Sequence, residues 1–360
     1  MKKITTLLLT AVLLSAFSCL KEDDSIIDIP PVQGKLMSPN IGGPAQAFQV
    51  WVDLSDDQQI QTERSRWDLG FYSGDQFRVI LNYSTMMAAV AIPTTDIDAV
   101  NPFEYQNILT EMEPTAGLNP AYIDHVAGNY LQDGTVIREI KENDADNPVY
   151  LLKLGYEPFT GEIPPYGTMA TGAKRGFKKI RILRNDENSY KILFADLNES
   201  THQEIIVQKD NNYHFSFFSF KDLATHEIQP TKNEWDLCFT VFNNVVPILG
   251  TYTFSDFILT NTLSKVGVYE VIDEPNNIEN RYNQFAASDV NMALFKTQDH
   301  RALGDEWRTT VSGTTSMPVV QTDRFFVIKD AENNFFKLRF ISMLDEQNYR
   351  GYPLFEYKQL

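Results

Sequence analysis

The side chains with chemical reach are few in kind: two cysteines, five histidines and 48 carboxylates in a chain of 360 residues. Cys238 lies in the apolar run Trp235, Leu237, Phe239, a setting for a buried, inert thiol rather than a nucleophile. His125, His202, His214 and His226 are scattered without metal-site spacing, and His300 sits in the polar stretch Gln298-Asp299-His300-Arg301. No H-E-x-x-H, G-x-S-x-G or Walker loop occurs, nor a G-x-G-x-x-G following a strand. A glycosidase-like carboxylate pair could assemble in space without a sequence trace. The balance favours binding, and the expectation is that the chain is not an enzyme.

Cys19 has a different context. Lys2 and Lys3 precede the apolar residues Leu7, Leu8, Leu9 and Ala11 to Leu14, a stretch too short to span a bilayer, and Ala16, Phe17 and Ser18 lead into the cysteine. The segment resembles a lipoprotein signal, with residues 1–18 removed and Cys19 diacylated, although Phe17 is larger than the strictest motif allows. Leu20 to Asp24 carries one lysine and three acids and resembles the signal that sends Bacteroidetes lipoproteins to the cell surface; a solvated linker is the plainer alternative. Residues 19–35, with Pro30-Pro31, read as a flexible tether. The expected location is the outer membrane, lipid-anchored and facing outward. A formal net charge of −17 argues against nucleic acid and against docking on anionic lipid through a basic patch.

The elements that must position any site are strands. Trp67-Asp68-Leu69-Gly70-Phe71 and Trp235-Asp236-Leu237-Cys238-Phe239 share the pattern W-D-L-x-F, and each precedes a strand ending at an asparagine, Asn82 or Asn261. Ile182 to Phe194 aligns without gaps to Ile328 to Phe340, each a hairpin pattern around a polar turn. The chain therefore reads as two divergent halves, 36–200 and 201–360. Further strand patterns occur at 48–54, 149–154, 204–208, 213–218, 266–271 and 354–357. Asn101-Pro102 and Asn119-Pro120 look like the starts of two helices. The fold class is all-β with minor α, two related antiparallel sandwich-like halves, their cores free of disulfides because one cysteine is spent on the anchor.

The W-D-L-x-F strand, Asp323 to Asp330, Phe335 to Phe340 and the closing Gly351-Tyr352-Pro353-Leu354-Phe355-Glu356-Tyr357 resemble the HmuY family of haem-binding lipoproteins, best over 201–360. The resemblance implies an iron-acquisition protein that captures haem at the cell surface and passes it to a TonB-dependent receptor. The matching motifs are scaffold: Trp67 and Trp235 as core plugs, Asp68 and Asp236 as backbone hydrogen-bond partners. The family's best-known member holds iron between two histidines, in the stretch that here runs from about Val266 to Thr322 and contains His300 alone. A second histidine has no counterpart. Met292 and Met317 lie in the same stretch and carry thioethers that haem iron accepts, so His300 with Met292 or Met317 is the expected ligand set. Each methionine also suits a gap-filling role, and His300 a surface one. The alternative function is a glycan- or other nutrient-binding, or accessory, surface lipoprotein without haem ligation. Met86-Met87 and the aromatic run Tyr213 to Phe220 could line an apolar pocket but read more simply as core.

Overall fold

The computed structural model describes residues 32–132, 134–310 and 317–360; Cys19, the signal segment and most of the tether lie outside them. In chain order the first nine strands are β1 (Lys35–Met37), β2 (Phe48–Asp53), β3 (Gln58–Glu63), β4 (Leu69–Tyr72), β5 (Val79–Leu81), β6 (Ala88–Ile92), β7 (Val149–Lys153), β8 (Phe177–Asp186) and β9 (Ser189–Asp196). There follow β10 (Gln203–Gln208), β11 (Phe215–Ser219), β12 (Ala224–His226), β13 (Leu237–Val246), β14 (Gly250–Thr260) and β15 (Gly267–Ile272). The last are β16 (Arg308–Thr309), β17 (Val319–Val320), β18 (Arg324–Lys329), β19 (Phe335–Leu344) and β20 (Arg350–Gln359), with helices α1 (Gln106–Met112) and α2 (Pro275–Gln284).

Four antiparallel sheets carry the fold, in the orders β10-β9-β8-β7-β6, β12-β11-β4-β5, β14-β13-β2-β3 and β1-β20-β19-β18-β15. The period-2 alternation of a strand sorts their side chains into layers. Leu69, Phe71, Val79 and Phe218 face Ile180, Ile182, Tyr190 and Ile192 in one sandwich core. Val50, Val52, Leu237, Phe239 and Ile258 face Phe326, Ile328, Leu338 and Phe355 in the other. The opposite faces of the two inner sheets meet through Trp51, Trp67, Phe215, Phe217, Cys238, Phe242 and Phe257. Outermost, Leu109 and Met112 of α1 cover one outer sheet, and Ile278 and Tyr282 of α2 cover the other.

The order of pairing shows a reciprocal exchange. The hairpin β2–β3 pairs through β2 with β13, while β11–β12 pairs through β11 with β4, so each hairpin sits beside the other half's W-D strand. β1 likewise pairs with β20, and β10 with β9. One sandwich is therefore the continuous run β4–β12, and the other joins β1–β3 to strands from β13 onward. This pairing crosses the expected division at residue 200.

Two local expectations need correction. By sheet position the counterpart of β8–β9 is β19–β20, so the hairpin of 182–194 and that of 328–340 are not equivalent; the latter corresponds to β7–β8. The sequences align because β8–β9 and β18–β19 both turn tightly around Asp/Glu/Asn, whereas β7 and β8 are joined by a long connection. Asn101 caps a 3-10 turn that leads into α1 as expected, but Asn119-Pro120 opens only a 3-10 turn over Pro120–Tyr122. Beyond it Asp124 accepts the N–H groups of Leu81 and Val136, which straps the described residues 123–132 and 134–136 as a loop instead of a helix. The second helix is α2, which opens with Pro275 in its first turn.

Candidate functional site

The duplicated motif is built alike in both halves. Oδ2 of Asp68 accepts the N–H of Phe220 at 2.7 Å, and Oδ2 of Asp236 accepts that of Leu54 at 2.9 Å. Asn82 donates through Nδ2 to the carbonyls of Arg64 and Trp67, and Asn261 does so to Lys232 and Trp235. Trp67 stands edge-on to Phe217 at 4.7 Å and Trp235 edge-on to Trp51 at the same separation. Both tryptophans are buried, in agreement with a scaffold role. Cys238 is fully buried and its thiol pKa is pushed well up by desolvation, the inert state expected.

The three expected ligands occupy different surroundings. His300 is buried at 6 % exposure, because the Asp299–Arg301 ion pair turns its polar neighbours outward and the imidazole inward. Its Nε2 donates to the carbonyl of Val126 at 2.9 Å, and its ring stands edge-on to Phe242 and Tyr130. A Cβ at residue 128 would lie 2.7 Å from Nδ1, so only glycine fits there and no space for iron or a porphyrin remains on that side. Burial lowers the His300 pKa to about 4, so the ring is neutral. The adjoining void is about 40 Å³, room for water but not for a macrocycle. Met292 and Met317, by contrast, are surface residues, 60 % and 47 % exposed. His300 is thus neither a surface histidine nor an accessible ligand, but a core cross-link. The remaining histidines are tied to separate partners: His202 to Asp98, His226 to Asp222 and His214 to Ser264, while His125 accepts the N–H of Ala127 at Nδ1.

The residues 266–322 do border a cleft, at a place sequence reasoning did not mark. It measures about 280 Å³ and lies between α2 and the pair β18–β19. Ile278, Phe325, Phe340 and Ile341 form its apolar lining, and Gln321, Arg324 and Arg339 its polar edge. The Tyr282 hydroxyl, on a ring 5.3 Å from Phe325, is buried without a hydrogen-bond partner among the described residues. Arg324 is held by Glu270 at 2.9 Å and Asp323 at 2.8 Å, and Arg339 by Glu356 at 2.8 Å, so both guanidiniums are paired, and Glu279 adds a further carboxylate to the lining. Ile278 and Tyr282 are an i, i+4 pair, a signal visible in the sequence once α2 is recognised. Two larger, open grooves of about 800 and 660 Å³ flank Arg138, Glu139 and Lys141 near the edge strand β6.

The molecule is an all-antiparallel double sandwich with a duplicated W-D motif and a cleft beneath one covering helix. The family model described as HmuY protein matches residues 45–357, and the chain belongs to that family. A solved structure of a Bacteroides fragilis protein, provisionally named a lipoprotein, is similar over 56 % of this chain and 97 % of that one, with 13 % identity and a TM-score of 0.21. No curated protein matches the sequence. Among the described residues no helix is long and apolar enough to cross a membrane.

Proposed function

We propose that the chain is a lipid-anchored surface lipoprotein that captures a ligand for uptake, with haem as the first candidate cargo. Membership of the HmuY family supports the class. The observation that carries the site is the α2 cleft: it lies in the stretch where the resemblance puts the ligand, and it combines an apolar lining with the unpartnered Tyr282 hydroxyl. At about 280 Å³ it would grip part of a porphyrin and leave the rest at the surface. His300 takes no part in this reading. Met317, exposed and three residues from the cleft-lining Val320, is the remaining thioether donor close by in sequence. Delivery to a TonB-dependent receptor is the step that surface capture would serve.

A nutrient ligand other than haem is the second reading, favoured by the burial of the one histidine in the stretch. A haem titration of the mature protein, followed at the Soret band, separates the two. Saturable binding that weakens in Phe325→Ala or Met317→Ala, and persists in folded His300→Phe, supports haem in the cleft. A flat titration removes haem as cargo.

A further inference from the structure

The two halves close the open side of their sandwiches differently. β6 and β15 are matching edge strands of the two outer sheets, and they share a register: Ala89 stands seven residues past the motif asparagine Asn82, and Val268 seven past Asn261. In the second half the chain covers this edge itself. Val268 exchanges both main-chain hydrogen bonds with Lys296, at 3.1 and 3.4 Å, and eight residues further on Gly304 pairs in the same way with Ile258 of β14.

In the first half the described residues make only the second of these contacts, Ile137 bridging to Val79 of β5. Leu154 donates to Gly176 on the β8 side and Val149 to Thr94 just past β6, so alternation aims the polar groups of Ala88, Val90 and Ile92 at β7. Those of Ala89 and Ala91 point out of the sheet edge, and none has a partner among the described residues. The strand, Ala-Ala-Val-Ala-Ile, holds no charge, proline or bulge of the kinds that block an edge. Beside it lies the groove of about 660 Å³, lined also by Gly134, Thr135 and Val136. Thr135 is 7 % exposed, and its buried hydroxyl has no hydrogen-bond partner among the described residues. Arg138 is exposed between this groove and the larger one; its guanidinium has no ion partner among the described residues, whereas Glu139 holds Lys141 at 3.7 Å.

We propose that the β6 edge binds an extended segment of a partner protein by strand addition, with a carboxylate on the segment where it passes Arg138. The segment takes the place that the chain around Lys296 takes on β15, exchanging main-chain hydrogen bonds with Ala89 and Ala91. The Thr135 hydroxyl supplies a further hydrogen bond. The five residues of β6 span about 17 Å, so five or six residues of partner cover the edge. Charge selects the partner: in a chain of net charge −17, Arg138 is a local cation free to meet an acidic side chain. The second half is closed to the same partner, because its own chain already fills the equivalent edge.

The test uses the mature chain carrying Cys19→Ala and a fluorescein-labelled heptapeptide of alternating valine and threonine with aspartate at its centre. Anisotropy should saturate. The same peptide methylated at the alternate amides that face the edge keeps its side chains but not its ladder, and should bind at least about tenfold more weakly. Ala91→Pro removes an outward N–H and should weaken the unmethylated peptide, and Arg138→Glu should reverse the preference between aspartate-centred and lysine-centred peptides. Thr135→Val removes a hydroxyl that the free chain does not use, so it should weaken the peptide without lowering the urea midpoint, and it serves if the proline variant does not fold. No saturation in the parent, or equal binding of the methylated peptide, overturns the site. Self-association of the parent that Ala91→Pro abolishes, with no peptide bound, also overturns it and assigns the edge to a second copy.

Discussion

His300 of the second half donates from Nε2 to the main-chain carbonyl of Val126 in the first, 2.9 Å away, across the layer where the two inner sheets meet. The main chain repeats the link, the N–H of His300 donating to the carbonyl of Ala127 at 3.1 Å. His300→Phe keeps the ring and its edge contacts to Tyr130 and Phe242 but leaves the carbonyl unpaired, and should cost about 1–3 kcal/mol in urea unfolding.

The same residue sets a pH dependence. Its pKa is lowered by burial from 6.5 to about 4 in the folded chain, so between these values the unfolded state takes up the proton that the folded state excludes. Stability from this group is complete above pH 6.5 and falls as the pH drops toward 4. His214, lowered to about 4 by burial, acts in the same sense. The pH slope in that window should be shallower in His300→Phe than in the parent; an unchanged slope would mean that the imidazole is not neutral and buried.

Asp68 and Asp236 occupy equivalent places and should respond oppositely to the same change. Asp68→Asn leaves the buried Arg175 with Glu157 at 3.3 Å as its one remaining ion partner among the described residues, and should lose about 3 kcal/mol. Asp236→Asn keeps the oxygen that accepts the Leu54 N–H and replaces a carboxyl whose charged form burial and the neighbouring carboxylates disfavour, so it should be neutral or stabilising. Equal losses in urea midpoint would refute the contrast.

The anchor is testable apart from the fold. Cys19→Ala should move the protein from the membrane pellet to the soluble fraction, since acyl chains contribute about 0.8 kcal/mol per buried methylene and the chain charge of −17 offers no electrostatic substitute. Continued sedimentation with outer membranes would mean that the lipoprotein reading is wrong.

The scaffold was legible because period-2 alternation and the W-D-L-x-F repeat record local physics: Trp67, Trp235, Asp68 and Asp236 do what their neighbours require of them. The hairpin equivalence misled because tight polar turns look alike wherever they fall, and only sheet order distinguishes β18–β19 from its neighbours. His300 misled because its two neighbours in sequence are charged, and a loop can turn one residue inward between two outward ones. The cleft left a weaker trace, since Ile278 and Tyr282 gain meaning only from a helix whose sequence, Pro275 to Gln284, is otherwise polar.

The strand exchange predicts which pieces fold alone. A fragment of residues 66–230 contains β4–β12 and thus both sheets of one sandwich with its core of Leu69, Phe71, Ile180, Tyr190 and Phe218. A fragment of residues 201–360 lacks β1–β3, so β13 and β20 lose their edge partners and Val50, Val52 and Leu54 leave the core they share with Phe239 and Phe326. The apolar surface that this exposes, at about 25 cal/mol per Å², outweighs the few kcal/mol by which a domain of this size is stable. The first fragment should therefore unfold in one cooperative transition and the second should be aggregated or molten, as read by urea unfolding and amide-proton exchange. Recovery of the second fragment on adding a peptide of residues 34–64 would locate the deficit in the exchanged strands. Independent, cooperative folding of 201–360 without that peptide would show that the half-chain, and not the exchanged sandwich, is the folding unit.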